Sequence, residues 1–335
     1  MSNSDEQNHG NGELDRLLRA AAPRMQPPEN IEREVRAAVH REWRTVVAAR
    51  ARSQRFTQLA IAAGLGAIAL TIWLLNQAPS EAVVVASIER AIEGGLVRSE
   101  DPARERPLGA NELLRAGDSL STGTNGGALI RLGSGISMRV DRDSVVQLAS
   151  GDDVALRAGA LYVDAGLTPG VGSKLRVETP AGVVQHVGTQ YEVRLVDSGT
   201  RIRVREGRVQ FSAPGGARVV GNAGTQLTIL ADGQALSESI ARSGTEWAWV
   251  GNVAPSFTIE NRPLPEFLQW ASRETGQEIT YATPAARDDA ATVRLRGSIE
   301  GLTPDAALAA VLSTTRLTSV ERNGKVLIEQ RSPAN

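Results

Sequence analysis

Apolar and polar positions follow different rules in successive stretches of the chain. Between Phe56 and Ser80 no charged residue occurs, and the run FTQLAIAAGLGAIALTIWLL is long enough for a hydrocarbon core, which takes about 20 apolar residues to cross. The pattern predicts a transmembrane helix over 56–76. A cleaved signal peptide has a shorter apolar centre, about 7–15 residues, close to the chain start, whereas this run begins only at Phe56. Upstream, Ile31, Val35, Ala38, Val39, Trp43 and Val46 recur at helical spacing and form one stripe. A shorter helix is expected at Glu13–Ala22, carrying Leu14, Leu17 and Leu18 and ending before Pro23, with Pro27 and Pro28 marking a break.

From about Ala82 to Leu230 the period falls to two. Ile136, Met138 and Val140 alternate with Ser137 and Arg139, Tyr191, Val193 and Leu195 with Glu192 and Arg194, and Ile202 and Val204 with Arg201, Arg203 and Arg205. Glycine turns separate these runs, as in a sandwich, barrel or solenoid. RAGDSL at Arg115, RAGALYV at Arg157 and REGRVQF at Arg205 each place a glycine turn ahead of an alternating strand. This internal echo favours a β-solenoid, although arginine-x-glycine turns also recur by composition in a glycine-rich chain.

The last stretch reads β-α-β twice. Phe257–Glu260 is expected as a strand, followed by a helix with Leu264, Phe267, Leu268 and Ala271 inward that stops at Gly276, then a strand at Glu278–Tyr281. Val293–Arg296 opens the second half. Thr303 is an N-cap before Pro304, and strands at Thr318–Glu321 and Lys325–Glu329 close on an Asn323–Gly324 turn. The expected fold class is therefore mostly β with a small α+β module. It divides into a helical arm at 1–55, the span at 56–76, a linker with a first strand at 77–112, the all-β domain at 113–230, a linker at 231–256 and a βαβ module at 257–330.

Charge orients this arrangement. Arg41, Arg44, Arg50, Arg52 and Arg55 precede the span, whereas the first basic residue after it is Arg90. The positive-inside rule then places the N-terminus in the cytoplasm and, in a Gram-negative cell, the remainder in the periplasm, with Trp73 as an interfacial anchor. Ala60 and Gly64, and Ala62 and Gly66, are spaced as in a helix dimer, so a homodimer is one expectation, though such spacing is common by chance. The stripe in the arm has three outlets: the bilayer surface, a groove on a partner, or the Leu14, Leu17 and Leu18 face. Formal net charge is −1, which disfavours a nucleic-acid role for the whole chain.

Chemistry is scarce. The chain has no cysteine, and its histidines, His9, His40 and His186, lie far apart, so neither a thiolate site nor a multi-histidine metal site is expected, and no cofactor. Gly123, Gly126 and Gly127 lack the Lys-Ser/Thr of a phosphate loop and read as a turn. Asp152–Asp153 and Asp288–Asp289 read as solvated loop carboxylates. One bond stands out, Gly188–Thr189, where a threonine hydroxyl attacking a strained preceding carbonyl would give an ester that water cleaves. The alternative is that the pair simply bends one strand into the next. His186 could act there as a base, but as an alternating strand residue it is expected to face solvent.

LRAGDSLST, ALIRLGSGISMRVDRDSVVQL, VALRAGALYVDAG, LRVETPAGVVQHVGTQYEV and RIRVREGRVQF, over roughly 113–211, resemble the periplasmic domain of FecR-type transmembrane anti-sigma regulators. GTQYEV and VREGRV are the most specific blocks. TEWAWVGNVAPSFTIENRPLPEFLQWASRETGQEITY resembles the segment that follows this domain in the family, and the remainder looks like the signalling module shared by TonB-dependent receptors and secretins. The resemblance implies an extracytoplasmic-function sigma factor as cytoplasmic partner, bound through Leu14, Leu17, Leu18, Ile31, Val35, Val39 and Trp43. It also implies the signalling domain of an outer-membrane TonB-dependent receptor as periplasmic partner, control of transcription, with iron or other nutrient uptake genes as targets, and no enzyme activity beyond self-cleavage at Gly188–Thr189, where some family members are split. The arm departs from the family in being shorter and in carrying only Trp43. The competing reading is an inner-membrane-anchored periplasmic scaffold with no sigma-factor partner.

Overall fold

The computed structural model describes residues 31, 33–39, 83–92, 94–99, 105–166, 175–322 and 324–331, without the side chains of Val187 and Thr189. It separates the chain into two units, 1–80 and 81–335. In the first unit residues 33–39 are helical, and Ile31, Val35 and Val39 are 48%, 57% and 62% exposed. Leu14, Leu17, Leu18, Trp43 and the apolar run at 56–76 lie outside the described residues. Among the described residues no helix is long and apolar enough to cross a membrane.

In the second unit, strands from Val84 to Ser239 join one sixteen-stranded, strongly curled sheet. Two long strands, Gly182–Val196 and Gly199–Ser212, form the hairpin on which it turns. The first half of Gly182–Val196 pairs with Arg176–Thr179, which continues through Asp153–Ala158, Val145–Leu148, Ser119–Thr122 and Gly95–Arg98 to Arg106–Pro107. The second half pairs with Ala160–Asp164, which continues through Ser137–Val140, Gly127–Leu132 and Val84–Ile92 to Leu113–Arg115. Leu120, Val146, Leu156 and Val177 from one half meet Ile130, Met138, Leu161 and Val193 from the other in a single apolar core. Each of these side chains is essentially inaccessible to solvent, and burying one stabilises by roughly 1.5–3 kcal/mol.

The β-solenoid expectation is wrong. All ladders of this sheet are antiparallel except Asp153–Ala158 with Arg176–Thr179, whereas stacked solenoid rungs would pair in parallel. The echo that suggested it has another cause. Gly117, Gly159 and Gly207, the glycines of the three arginine-x-glycine turns, all take positive φ, at 92°, 73° and 74°. Gly117 and Gly159 stand where the chain leaves one half of the sheet for the other, and Gly207 stands within Gly199–Ser212 where that strand exchanges Thr225–Leu230 for Arg218–Asn222 as its outer neighbour. The repeated motif thus marks the corners of the curl. At Gly159 a Cβ would lie 2.6 Å from the Ser144 backbone, so this corner admits only glycine.

A three-stranded sheet, Glu278–Tyr281, Lys325–Gln330 and Leu317–Arg322 in spatial order, forms the C-terminal module with helices Leu264–Thr275, Pro284–Thr292 and Pro304–Ser313. Phe267, Ala271, Leu308 and Ile328 centre a second apolar core. Gly276 ends the first helix in the left-handed conformation, and Thr303 caps the third through Ala306 N. Three expectations fail here. Val293–Arg296, expected to open the second β-α-β unit, makes only an isolated bridge from Arg294 to Pro263. Phe257–Glu260 alternates in burial but pairs with no strand among the described residues, and Asp288 and Asp289 sit on a helix rather than in a loop. That helix starts with Thr283 capping Ala286 N ahead of Pro284, the same Thr-Pro signal as at Thr303.

Candidate functional site

Strands usually alternate apolar-inward and polar-outward, but on Ser137–Val140 every residue is buried. The outward face of this strand and of its neighbours Ala160–Asp164, Gly182–Val196 and Gly199–Ser212 is covered by the turn at Thr245–Trp247, the helix Ala248–Asn252 and the helix Leu264–Thr275. Arg139 therefore belongs to a buried seam, not to a solvated face. Its guanidinium donates to Glu274 Oε2 at 2.5 Å and to Val250 O at 2.9 Å. Arg205 donates to Arg242 O at 2.9 Å and Glu274 O at 3.0 Å and stacks on Trp247 at 4.4 Å. Tyr162 lies between the two guanidinium groups, 5.1 Å from Arg139 and 5.5 Å from Arg205. At the far end Arg273 grips Asp164 through both carboxylate oxygens, and Gln190 Nε2 donates to Asp164 Oδ2 at 3.0 Å.

The electrostatics follow from burial set against paired charge. Burial would raise the Asp164 carboxyl, but the hydrogen bonds and charge of Arg273 outweigh it and hold the group below its ordinary value. Glu274 is shifted upward, because its burial exceeds what Arg139 returns. Burial likewise pushes the Tyr162 phenol up to about 12, against the pull of Arg205 and Arg139. Beside the seam, Arg194 bridges Glu192 and Asp141 at 2.6 Å each and faces the Trp249 ring at 5.5 Å. Among the described residues no three His, Asp or Glu side chains gather as a metal site would need. The seam holds no activated nucleophile either. What it does is lock the helical module onto the sheet through charges that cannot separate without being stranded in a dry interface.

The sequence-selected positions fall elsewhere. Gly188 is exposed, has φ 59°, and occupies a bulge in the long strand, where the register shifts between Val187 and Gln190. The bulge lies at the point where this strand exchanges one set of neighbours for the other, so bending the strand is one role the bond performs. His186 shares a face with Val184, is half-buried with its ring 5.8 Å from Tyr191, and thus is not the solvent-facing residue expected. Burial holds its pKa down. Ile31, Val35 and Val39 are exposed on their helix. Sequence reasoning missed Arg139, Tyr162, Asp164, Arg205, Arg273 and Glu274. The one available signal was the density of arginine on alternating strand positions.

Residues 118–210 match the FecR protein family. Two crystal structures of a candidate anti-sigma factor from Parabacteroides distasonis, solved at 1.65 and 2.50 Å, align with 64% of this chain and 99% of their own. Identity is 15% in each case, and the TM-scores are 0.35 and 0.34, too low for the overall topology to be carried across. No curated protein matches.

Proposed function

Starting from the FecR domain at 118–210, we propose that this chain is a signal transducer that acts on a sigma factor. That family match is the observation that carries the reading. In its finer form, the sheet and C-terminal module lie in the periplasm and receive a signal from the signalling domain of a TonB-dependent receptor. The N-terminal residues lie in the cytoplasm and restrain or activate an extracytoplasmic-function sigma factor. The uncharged run after Phe56 and the arginines before it support this placement at the inner membrane. The exposed Ile31, Val35 and Val39 support a partner surface on the arm. The outer edges of the small sheet, at Glu278–Tyr281 and Leu317–Arg322, suit strand pairing with a receptor domain. Nutrient uptake genes, those for iron among them, are the proposed output.

The seam supports a relay because a partner seated on the module would move it together with the FecR sheet. Co-purification of the full chain from its native host tests the reading. Recovery of an extracytoplasmic-function sigma factor, lost in the Val35→Asp/Val39→Asp variant, is expected. Recovery of envelope proteins alone would replace the transducer by a scaffold. Cleavage between Gly188 and Thr189 belongs to the same proposal. Blotting should show two fragments in wild type and one full-length band in Thr189→Ala, and a single band in both would remove it.

A further inference from the structure

The segment Ser256–Glu260 has the burial rhythm of a strand, with Phe257 and Ile259 turned in and Ser256, Thr258 and Glu260 exposed. No backbone N–H from Ser256 to Glu260 makes a hydrogen bond to a described residue. Of the carbonyls only Ile259 O is taken, by Arg262 N at 2.9 Å, and a row of unpaired N–H groups in extended chain is a template for another strand. This row borders an open groove of about 990 Å³, whose opposite wall is the outer face of the FecR sheet at Glu89, Arg90, Leu129 and Arg131.

Two features of the groove point to what fills it. Trp270, in an aromatic cluster with Phe257 at 5.4 Å and Phe267 at 5.5 Å, has a buried indole Nε1 with no hydrogen-bond partner. A buried donor left unsatisfied is destabilising, and an incoming carbonyl would relieve this. Arg90 is half-buried, and its guanidinium makes one long hydrogen bond, 3.5 Å to Ala254 O. Arg131, by contrast, is already held by Glu89 at 2.9 Å. The groove therefore offers a backbone ladder, an indole donor, an aromatic floor and one weakly paired cation.

We propose that this groove binds an extended polypeptide segment of a partner protein as an added strand. The segment presents apolar side chains at alternate positions to Phe257 and Trp270 and an acidic residue to Arg90. This surface is distinct from the edges of the three-stranded sheet, and the assignment stands or falls without the transducer reading.

The test uses the full chain in detergent and a fluorescent peptide of alternating valine and threonine containing one glutamate, with a copy N-methylated on alternate residues. Wild type should bind the first peptide saturably and the methylated copy at least tenfold more weakly. Thr258→Pro, which deletes one ladder N–H on an exposed residue, should weaken binding about tenfold, and Trp270→Phe, which keeps a ring but removes the donor, severalfold. Amide exchange from Ser256 to Glu260 should slow when peptide is added, a readout independent of either variant's folding. No saturable binding, equal binding of the methylated peptide, or unchanged exchange at these amides would each overturn the assignment. So would protection of the same amides by self-association of the chain without peptide.

Discussion

The two faces of the strands Ser137–Val140 and Ala160–Asp164 are equally dry and chemically opposite. Inward, Met138, Val140, Leu161 and Val163 pack among other hydrocarbons. Outward, Arg139, Tyr162 and Asp164 are buried among arginines, a glutamate and indole rings. The first face is held by non-directional burial, so many shapes of similar volume would serve. The second depends on matched charges, and removal of one member leaves the other stranded. A hydrophobic core tolerates repacking, whereas the seam specifies one docking pose for the helix Leu264–Thr275.

Breaking one side of the seam has the largest expected effect. Glu274→Ala leaves Arg139 buried without its carboxylate and should destabilise by about 3–5 kcal/mol, read from urea unfolding. The double change Arg139→Met/Glu274→Leu should recover most of that loss, and failure to recover it would show that the pair contributes more than mutual neutralisation. On the inward face Leu161→Ala should cost about 2–5 kcal/mol through lost burial and a cavity, with no partner substitution that rescues it.

The corners come next. Gly159→Ala combines positive φ with a clash against the Ser144 backbone, and a loss of about 1–3 kcal/mol is expected. The same substitution at Gly216, also at positive φ but with nothing within 4 Å of the added Cβ, should cost less.

Titration separates the faces further. Asp164 has a folded pKa below its ordinary 3.8, so its contribution is complete above that value and is lost as pH falls through the lower, folded one. Glu274, shifted upward, works in the opposite sense and loses stability as pH rises from its ordinary 4.5 through its folded value. Asp164→Asn should therefore flatten the acid limb of the urea midpoint against pH, and Leu161→Ala should leave its shape unchanged. Breaking the exposed pair Arg262–Glu266, 3.2 Å apart, sets the lower end of the scale, and Glu266→Gln should change stability by no more than about 0.5 kcal/mol.

Much of the module was legible because its signals are local. Gly276 as a helix stop, Thr303 as a cap and the hairpin after Arg322 each depend on residues a few positions apart. The strand at Phe257–Glu260 was misjudged for the converse reason. Its alternation is real, but a strand needs a partner, and none of the described residues supplies one. The arginine-x-glycine echo was also real, yet a turn motif states only that the chain bends, not whether the next strand stacks above the last or crosses to the other half of the sheet.

The sequence alone determined which strand positions are apolar, where the chain turns, and that no thiol or histidine cluster is available. Those properties are written in side-chain type and short-range steric preference. The tertiary structure decided that Arg139, Asp164, Arg205, Arg273 and Glu274 meet, that the curl is antiparallel, and that Gly188 sits at its hinge. Period-two alternation distinguishes the two faces of a strand but cannot say what covers the polar one. That depends on residues 37 to 135 positions away, brought close only when the second core folds against the first.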